Sequence, residues 1–162
     1  MIVITVLGLT FYPIKILAVN DFKKGTGLLI PIKRGTGFTL EYTHSVHKTK
    51  VQEHFVFAPN NNIVLTSTTF QSLGVGIPFL PEEGKLVNDN GVYLLTGMNR
   101  EFESITLGFM PIAQQGIILN GKKYKLEDYF IEGSFIKISY KNISPIKIIW
   151  QSVQGGKEVL YE

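Results

Sequence analysis

An imidazole and a carboxylate lie on two neighbouring apolar stretches of this sequence, spaced as a polar pair inside a β-sheet would be. Residues 38–44 alternate between apolar and polar side chains, and His44 falls on the apolar face. The next stretch, residues 51–57, carries Glu53 among its apolar side chains. A carboxylate on an apolar face is costly unless it is paired, so we expect a partner for Glu53.

A hairpin between these stretches supplies such partners. If His44 lies opposite Val51, then Tyr42 faces Glu53 and can donate a hydrogen bond to its carboxylate. His44 becomes a diagonal neighbour of Glu53, within reach of long side chains. Two interpretations remain open: a satisfied structural network, and a pocket that binds a ligand or transfers a proton.

A glycine-rich loop over residues 70–78 is the next candidate. Gly74 and Gly76 permit close backbone approach, and backbone N–H groups in such a loop can hold a small anion beside Ser72. No helix signal and no Lys-Ser/Thr pair follows, which excludes a P-loop. A tight structural turn is the alternative interpretation.

Residues 97–100 contain an amide and a guanidinium, Asn99 and Arg100, in what we predict to be a loop at the end of a strand. Arg100 can pair with an anionic ligand through two hydrogen bonds. It can equally bridge to Glu101 or Glu103 on the surface.

A Ser-His-acid triad can be assembled on paper from Ser45 or Ser72 with His44 and Glu53. The sequence has no Gly-x-Ser-x-Gly elbow, and adjacent side chains on a strand point apart. We therefore assign no catalytic residue, although a hydrolase or isomerase with His44 as base and Glu53 as orienting carboxylate stays open. The chain has no cysteine and its three histidines match no zinc spacing, so we predict no metal and no cofactor.

The elements that must position these side chains are β-strands. Beyond Pro13, short alternating runs are separated by turn signals roughly every 8–12 residues, a pattern typical of sandwiches and barrels. Apolar residues make up 44% of the chain and charged residues only 18%, which excludes disorder and coiled coil. We predict an all-β fold for residues 14–162: one domain, an antiparallel β-sandwich or partly closed barrel of about ten strands with little helix.

Three asparagine-containing turns are predicted to join consecutive strands. They lie at residues 60–62, 89–91 and 120–121. The first of them sets Phe57 against Ile63, and therefore Glu53 against Ser67.

Residues 1–13 form an apolar amino-terminal segment. Its run from Ile2 to Tyr12 is too short to span a bilayer before Pro13 and Lys15 interrupt it. A membrane anchor, an atypical signal and a first buried strand all fit this segment. Any membrane contact is expected through residues 1–13 alone, with the domain outside the cytoplasm.

The charge distribution argues against a nucleic-acid partner. The net charge is +3 and the basic residues are spread along the chain without a block of like charges. A nucleic-acid groove requires clustered bases with aromatic residues between them.

Three motifs, taken in order, resemble the DUF1850 family over roughly Ile14 to Tyr140. They are Phe38-x-Leu40-x-Tyr42-Thr43-His44-Ser45-Val46 with Lys48-Thr49-x-Val51-x-Glu53, then Phe70-Gln71-Ser72-x-Gly74-x-Gly76-x-Pro78, then Gly97-x-Asn99-Arg100. The chain departs from the family pattern at His47, where an acidic residue is usual, and at Lys50, where proline is usual.

The resemblance implies a compact β domain, frequently associated with TRAP-type transporters of the TAXI class, and it offers no catalytic residue. Our first hypothesis is therefore a non-catalytic accessory domain that binds a small carboxylate or amino acid. A structural interaction domain without a ligand is a further alternative. The ligand-binding residues we expect are His44, Ser45, Glu53, Ser72, Gly74, Gly76, Asn99 and Arg100.

Overall fold

Antiparallel strands dominate the part of the chain that the structure describes. This computed structural model describes residues 13–23, 27–33, 35–72 and 84–144. Its strands are β1 (Ile14–Asp21), β2 (Gly27–Pro31), β3 (Phe38–Thr43), β4 (Lys50–Phe57), β5 (Ile63–Phe70), β6 (Lys85–Asp89), β7 (Val92–Phe102), β8 (Ile105–Gly108), β9 (Gly116–Leu119), β10 (Lys122–Lys125) and β11 (Phe135–Ile143). Two 3-10 turns lie at Pro111–Ala113 and Leu126–Asp128.

The strands form two open sheets. The four-stranded sheet has the order β2-β1-β11-β8, and the seven-stranded sheet has the order β10-β9-β3-β4-β5-β7-β6. All pairings among the described strands are antiparallel, and neither sheet closes into a barrel. The all-β prediction is confirmed, with eleven described strands rather than about ten.

Both sheets contribute to one hydrophobic core. Because side chains alternate along each strand, each sheet has one mainly apolar face that it can bury in this core. In β3, Phe38 and Leu40 are buried and Thr39 between them is half-buried, as the sequence predicts. The core includes Leu17, Val19, Leu28, Ile30, Ile136 and Ile138 from the smaller sheet and Phe38, Leu40, Phe55, Leu65, Phe70 and Leu95 from the larger one.

The β3–β4 hairpin has a different register from the predicted one. Tyr42 lies opposite Val51 and Leu40 lies opposite Glu53, a shift of two residues that leaves every side chain on its expected face. The shift arises in the loop, where the His44 N–H donates to the Thr49 carbonyl over 2.8 Å. The predicted pairs His44–Val51 and Tyr42–Glu53 are therefore wrong as directly opposite pairs.

Two bulges change the pairing further along the sheet. Phe57 lies opposite Ile63, as predicted, but the register slips after His54. Glu53 consequently faces Thr68, and the predicted pairing with Ser67 is wrong by one residue.

The predicted loop at residues 97–100 lies inside β7, so that prediction is wrong as well. The pairing of β7 with β5 is irregular at this point, between Leu65 and Ser67, and Gly97 adopts a φ of +81°. Glycine takes this left-handed conformation without steric cost, and it permits a bulge where the sequence suggests a turn.

The asparagine turns are confirmed. Both central residues of the β6–β7 and β9–β10 turns have positive φ, at Asn90 and Gly91 and at Asn120 and Gly121. This conformation fits the right-handed twist of a two-residue hairpin, and these residue types adopt it most readily.

Gly37, just before β3, allows the chain to pass close to β4. A Cβ built at this position would collide with the main-chain carbonyl oxygen of Phe55. We expect Gly37→Ala to lower the free energy of unfolding by about 1–3 kcal/mol, the usual cost of overpacking. Urea denaturation measures this loss. Gly108→Ala is the matched control, because a Cβ there meets no atom within 4 Å; equal losses in the two variants would contradict the close approach.

None of the described helices is long and apolar enough to cross a membrane. The apolar run from Ile2 to Tyr12 lies outside the described residues.

Candidate functional site

Glu53 projects from the central strand of the seven-stranded sheet on its core-facing side. Its cross-strand neighbours are Leu40 on β3 and Thr68 on β5, both buried. The next strands on either side place Ile117 and Leu95 in the same row, and both are fully buried. The carboxyl group therefore lies in a row of side chains that is otherwise apolar except for one threonine hydroxyl.

Tyr42 is the hydrogen-bond donor to this carboxyl group. Its hydroxyl donates to Oε1 of Glu53 over 3.2 Å, from the diagonal position on β3. No other hydrogen bond to Glu53 comes from the described residues. The expected Tyr42–Glu53 bond is thus present, although the register that produces it differs from the prediction.

Burial raises the pKa of the Glu53 carboxyl above its ordinary value, because a charged carboxylate loses its hydration on the core face. The Tyr42 hydrogen bond and the positive charge of Arg100 oppose this effect without cancelling it. The pKa of Tyr42 is raised as well, first by burial and then by the neighbouring negative charge of Glu53. The pair is consequently biased towards its neutral form.

His44 does not reach Glu53, and the predicted contact between them is wrong. His44 lies in the loop after β3, where its Nδ1 accepts the backbone N–H groups of Val46 and His47 at 3.3 Å each. These bonds tie the ring to its own loop. The two-residue register shift is the cause, because it moves His44 off the strand and away from the diagonal position.

His47 is the histidine that contacts a predicted site residue. Its Nδ1 lies 3.2 Å from Oγ of Ser72, two residues after the end of β5. Its Nε2 is buried and has no hydrogen-bond partner among the described residues. The His44 and His47 rings lie 5.1 Å apart. Sequence reasoning left His47 out of the site, although its departure from the family pattern marked the position.

The remaining predicted site residues are dispersed. Ser45, Asn99 and Arg100 are exposed, and the last two belong to the β7 bulge rather than to a loop. Arg100 lies 5.9 Å from the ring of Phe102. Gly74 and Gly76 lie outside the described residues. Two relations among these residues remain: the charge of Arg100 acts on the pKa of Glu53, and the Ser72 hydroxyl contacts the His47 ring.

A catalytic triad is not assembled within the described ranges. Ser72 meets His47, but His47 has no bond to a carboxylate, and Glu53 has no bond to a histidine. Among the described residues no three His, Cys, Asp or Glu side chains group closely enough to hold a metal ion.

The opposite face of the same sheet carries another carboxylate, Glu41, which is more deeply buried than Glu53 and which sequence reasoning missed. Glu41 accepts hydrogen bonds from Nζ of Lys123 over 2.6 Å and from Nε2 of Gln52 over 2.7 Å. Burial alone would raise its pKa, but these two bonds and the charges of Lys123 and Lys50 lower it below the ordinary value. Alternation assigned Glu41 to the outer face and gave no sign that the outer face would bury it.

Fold and site together define a two-sheet antiparallel β domain with a half-buried carboxyl group of raised pKa on the core-facing side of its larger sheet. The chain belongs to the DUF1850 family, described as a domain of unknown function, whose family model matches residues 38–126. The match is narrower than the resemblance from Ile14 to Tyr140 and includes Tyr42, Glu53, Ser72 and Arg100. No curated protein and no solved structure matches the chain.

Proposed function

We propose that this protein is a non-catalytic domain that binds a small amino acid or carboxylate and serves an uptake transporter of the TRAP/TAXI type. The observation that carries the proposal is the Glu53 carboxyl group, which is half-buried in an apolar row with Tyr42 as its hydrogen-bond donor among the described residues. The pKa of Glu53 is raised, and ionisable groups with shifted pKa values occur at functional sites more often than elsewhere.

An amino acid complements these groups. Its ammonium group would pair with Glu53 and favour the ionised carboxylate, while the positive charge of Arg100 would attract its carboxylate. His47 precedes β4 and Ser72 follows β5, so both lie beyond the end of β4 that begins at Lys50. Their side chains offer further polar contacts to the ligand. The proposal keeps the predicted ligand-binding residues His44, Ser45, Asn99, Gly74 and Gly76 as neighbours of the ligand.

A thermal-shift screen against the common amino acids and small carboxylates tests this proposal. The ligand should raise the melting temperature of the wild type by several degrees, since a ligand at 100 times its Kd adds about 2.7 kcal/mol. Glu53→Gln should lose most of this rise, whereas Glu103→Gln, which alters an exposed carboxylate, should keep it. The proposal fails if no compound raises the wild-type melting temperature, or if the two variants respond alike.

A hydrolase is the second candidate function, and the observation that favours it is the contact between Ser72 and His47 rather than the predicted pair of His44 and Glu53. An ester screen of the wild type and Ser72→Ala separates the two functions, because binding alone produces no turnover. Ester hydrolysis that disappears in Ser72→Ala would replace the non-catalytic proposal with the enzymatic one.

The transporter partner and a position outside the cytoplasm are parts of the proposal that the family resemblance supports. Membrane subunits of a TAXI-class transporter in lipid nanodiscs provide the direct test. We expect the full chain to bind these nanodiscs and not nanodiscs of lipid alone. Equal binding to both would leave the membrane, rather than the transporter, as the partner.

A further inference from the structure

A cleft of about 350 Å³ opens between the two sheets at the end of β4 remote from the site just described. Val56 and Phe57 of β4 form one wall, and Tyr140 of β11 forms part of the other. Glu53 is three to four residues away along β4, which corresponds to about 10–13 Å. The volume is within the range of pockets that hold small organic molecules.

Two lysines give the cleft its charge. Lys15 of β1 and Lys33, just after β2, both line it, and neither forms an ion pair with a described residue. Their chain segments are directly joined, since the Ile32 N–H donates to the Lys15 carbonyl over 2.9 Å. None of the described lining residues is acidic. The cleft therefore presents two positive charges with no opposing carboxylate among those residues.

The walls of the cleft are apolar and aromatic. The rings of Phe57 and Tyr140 lie 4.8 Å apart, and Ile32 and Val56 also contribute atoms to the lining. The ammonium group of Lys15 lies 5.8 Å from the centre of the Tyr140 ring. A carboxylate ligand with an aromatic group would bury the apolar surface of its ring in the cleft, while its negative charge remained near the lysines.

Hydrogen bonds hold the main chain at Pro31 and Lys33 before any ligand arrives. The Asn120 side chain donates to the Pro31 carbonyl over 2.8 Å and accepts from the Lys33 N–H over 3.3 Å. The Thr36 hydroxyl donates to the Lys33 carbonyl over 2.6 Å. A site that is ordered in advance loses less conformational entropy on binding.

We propose that this cleft binds a small monocarboxylate with an aromatic or branched aliphatic group. The carboxylate pairs with the ammonium groups of Lys15 and Lys33, and the apolar group lies against Phe57 and Tyr140. The cleft shares no lining residue with the Glu53 site, so the inference stands independently of the function proposed above.

Titration calorimetry with phenylacetate and isovalerate tests the proposal. We expect the wild type to bind phenylacetate, and the Lys15→Met, Lys33→Met double variant to bind it roughly tenfold more weakly, since each exposed ion pair adds a few-fold. Methionine retains the length of the lysine stem and removes the charge. Lys85→Met is the matched control, because Lys85 is exposed on β6 and outside the cleft.

Chemical controls identify what the cleft recognises. The neutral 2-phenylethanol should bind much more weakly than phenylacetate, because it lacks the charge, and acetate should bind more weakly because it lacks the ring. Glu53→Gln should bind phenylacetate as the wild type does. The proposal is overturned by equal affinity of the double variant and the wild type, by equal affinity for the neutral analogue, by loss of binding in Glu53→Gln, or by no binding up to about 10 mM ligand.

Discussion

Replacing Phe38 by alanine is expected to lower the free energy of unfolding by about 3–5 kcal/mol, the usual range for a buried phenylalanine. Phe38 is 2% exposed and stacks on both Phe55 and Phe57. The truncation removes both ring contacts and leaves a cavity beside β4, which the rest of the sheet fills only in part. Urea denaturation followed by circular dichroism measures the loss.

Phe22 supplies the matched control for this truncation. Its side chain is 71% exposed, so Phe22→Ala should change the free energy of unfolding by less than about 0.5 kcal/mol. A loss below about 1 kcal/mol in Phe38→Ala would contradict a close-packed core at this position.

Replacing Glu53 by glutamine is expected to stabilise the protein at neutral pH, by about 1–2 kcal/mol, the scale of an incompletely compensated buried polar group. Because the pKa of Glu53 is raised in the folded state, the unfolded chain releases this proton first as the pH rises. The stability of the wild type therefore falls as the pH increases from about 4.5 through the folded-state pKa. Glutamine cannot ionise and removes this dependence.

Glu41→Gln is the control of opposite sign. The pKa of Glu41 is lowered in the folded state, so its contribution to stability is present above about pH 4.5 and is lost as the pH falls further. This variant should be less stable than the wild type at pH 7, and the difference should shrink in acid. Urea denaturation of both variants at several pH values from 4 to 7 measures the two trends; parallel curves for the wild type and Glu53→Gln would show that Glu53 ionises normally.

The faces of the strands were predictable because alternation is a local property of the sequence. Phe38, Leu40 and Glu53 all lie on the face that their neighbours indicate. The asparagine turns at residues 90–91 and 120–121 were predictable for the same reason, since their residue types tolerate positive φ.

The exact pairing was not predictable, because it depends on bonds that no local pattern reveals. The hydrogen bond between His44 and Thr49 sets the β3–β4 register, and it removed His44 from the site. The bulge opposite His54 inserts one residue into β5, and the bulge at Gly97 inserts two residues into β7, where an unbroken strand and a loop are equally plausible in the sequence. The contact of His47 with Ser72 joins residues 25 positions apart, so spacing alone gives no indication of it.

One of the two outermost described strands of the seven-stranded sheet, β10, carries lysines at positions 122, 123 and 125. A second copy that added its own β10 alongside would bring ammonium groups from both chains together, and their repulsion opposes growth of the sheet in that direction. In the smaller sheet, β2 ends at Pro31, whose nitrogen has no hydrogen to donate to an incoming strand. These residues therefore disfavour end-to-end polymerisation of the molecule at β10 and at β2, two of its four outermost described strands.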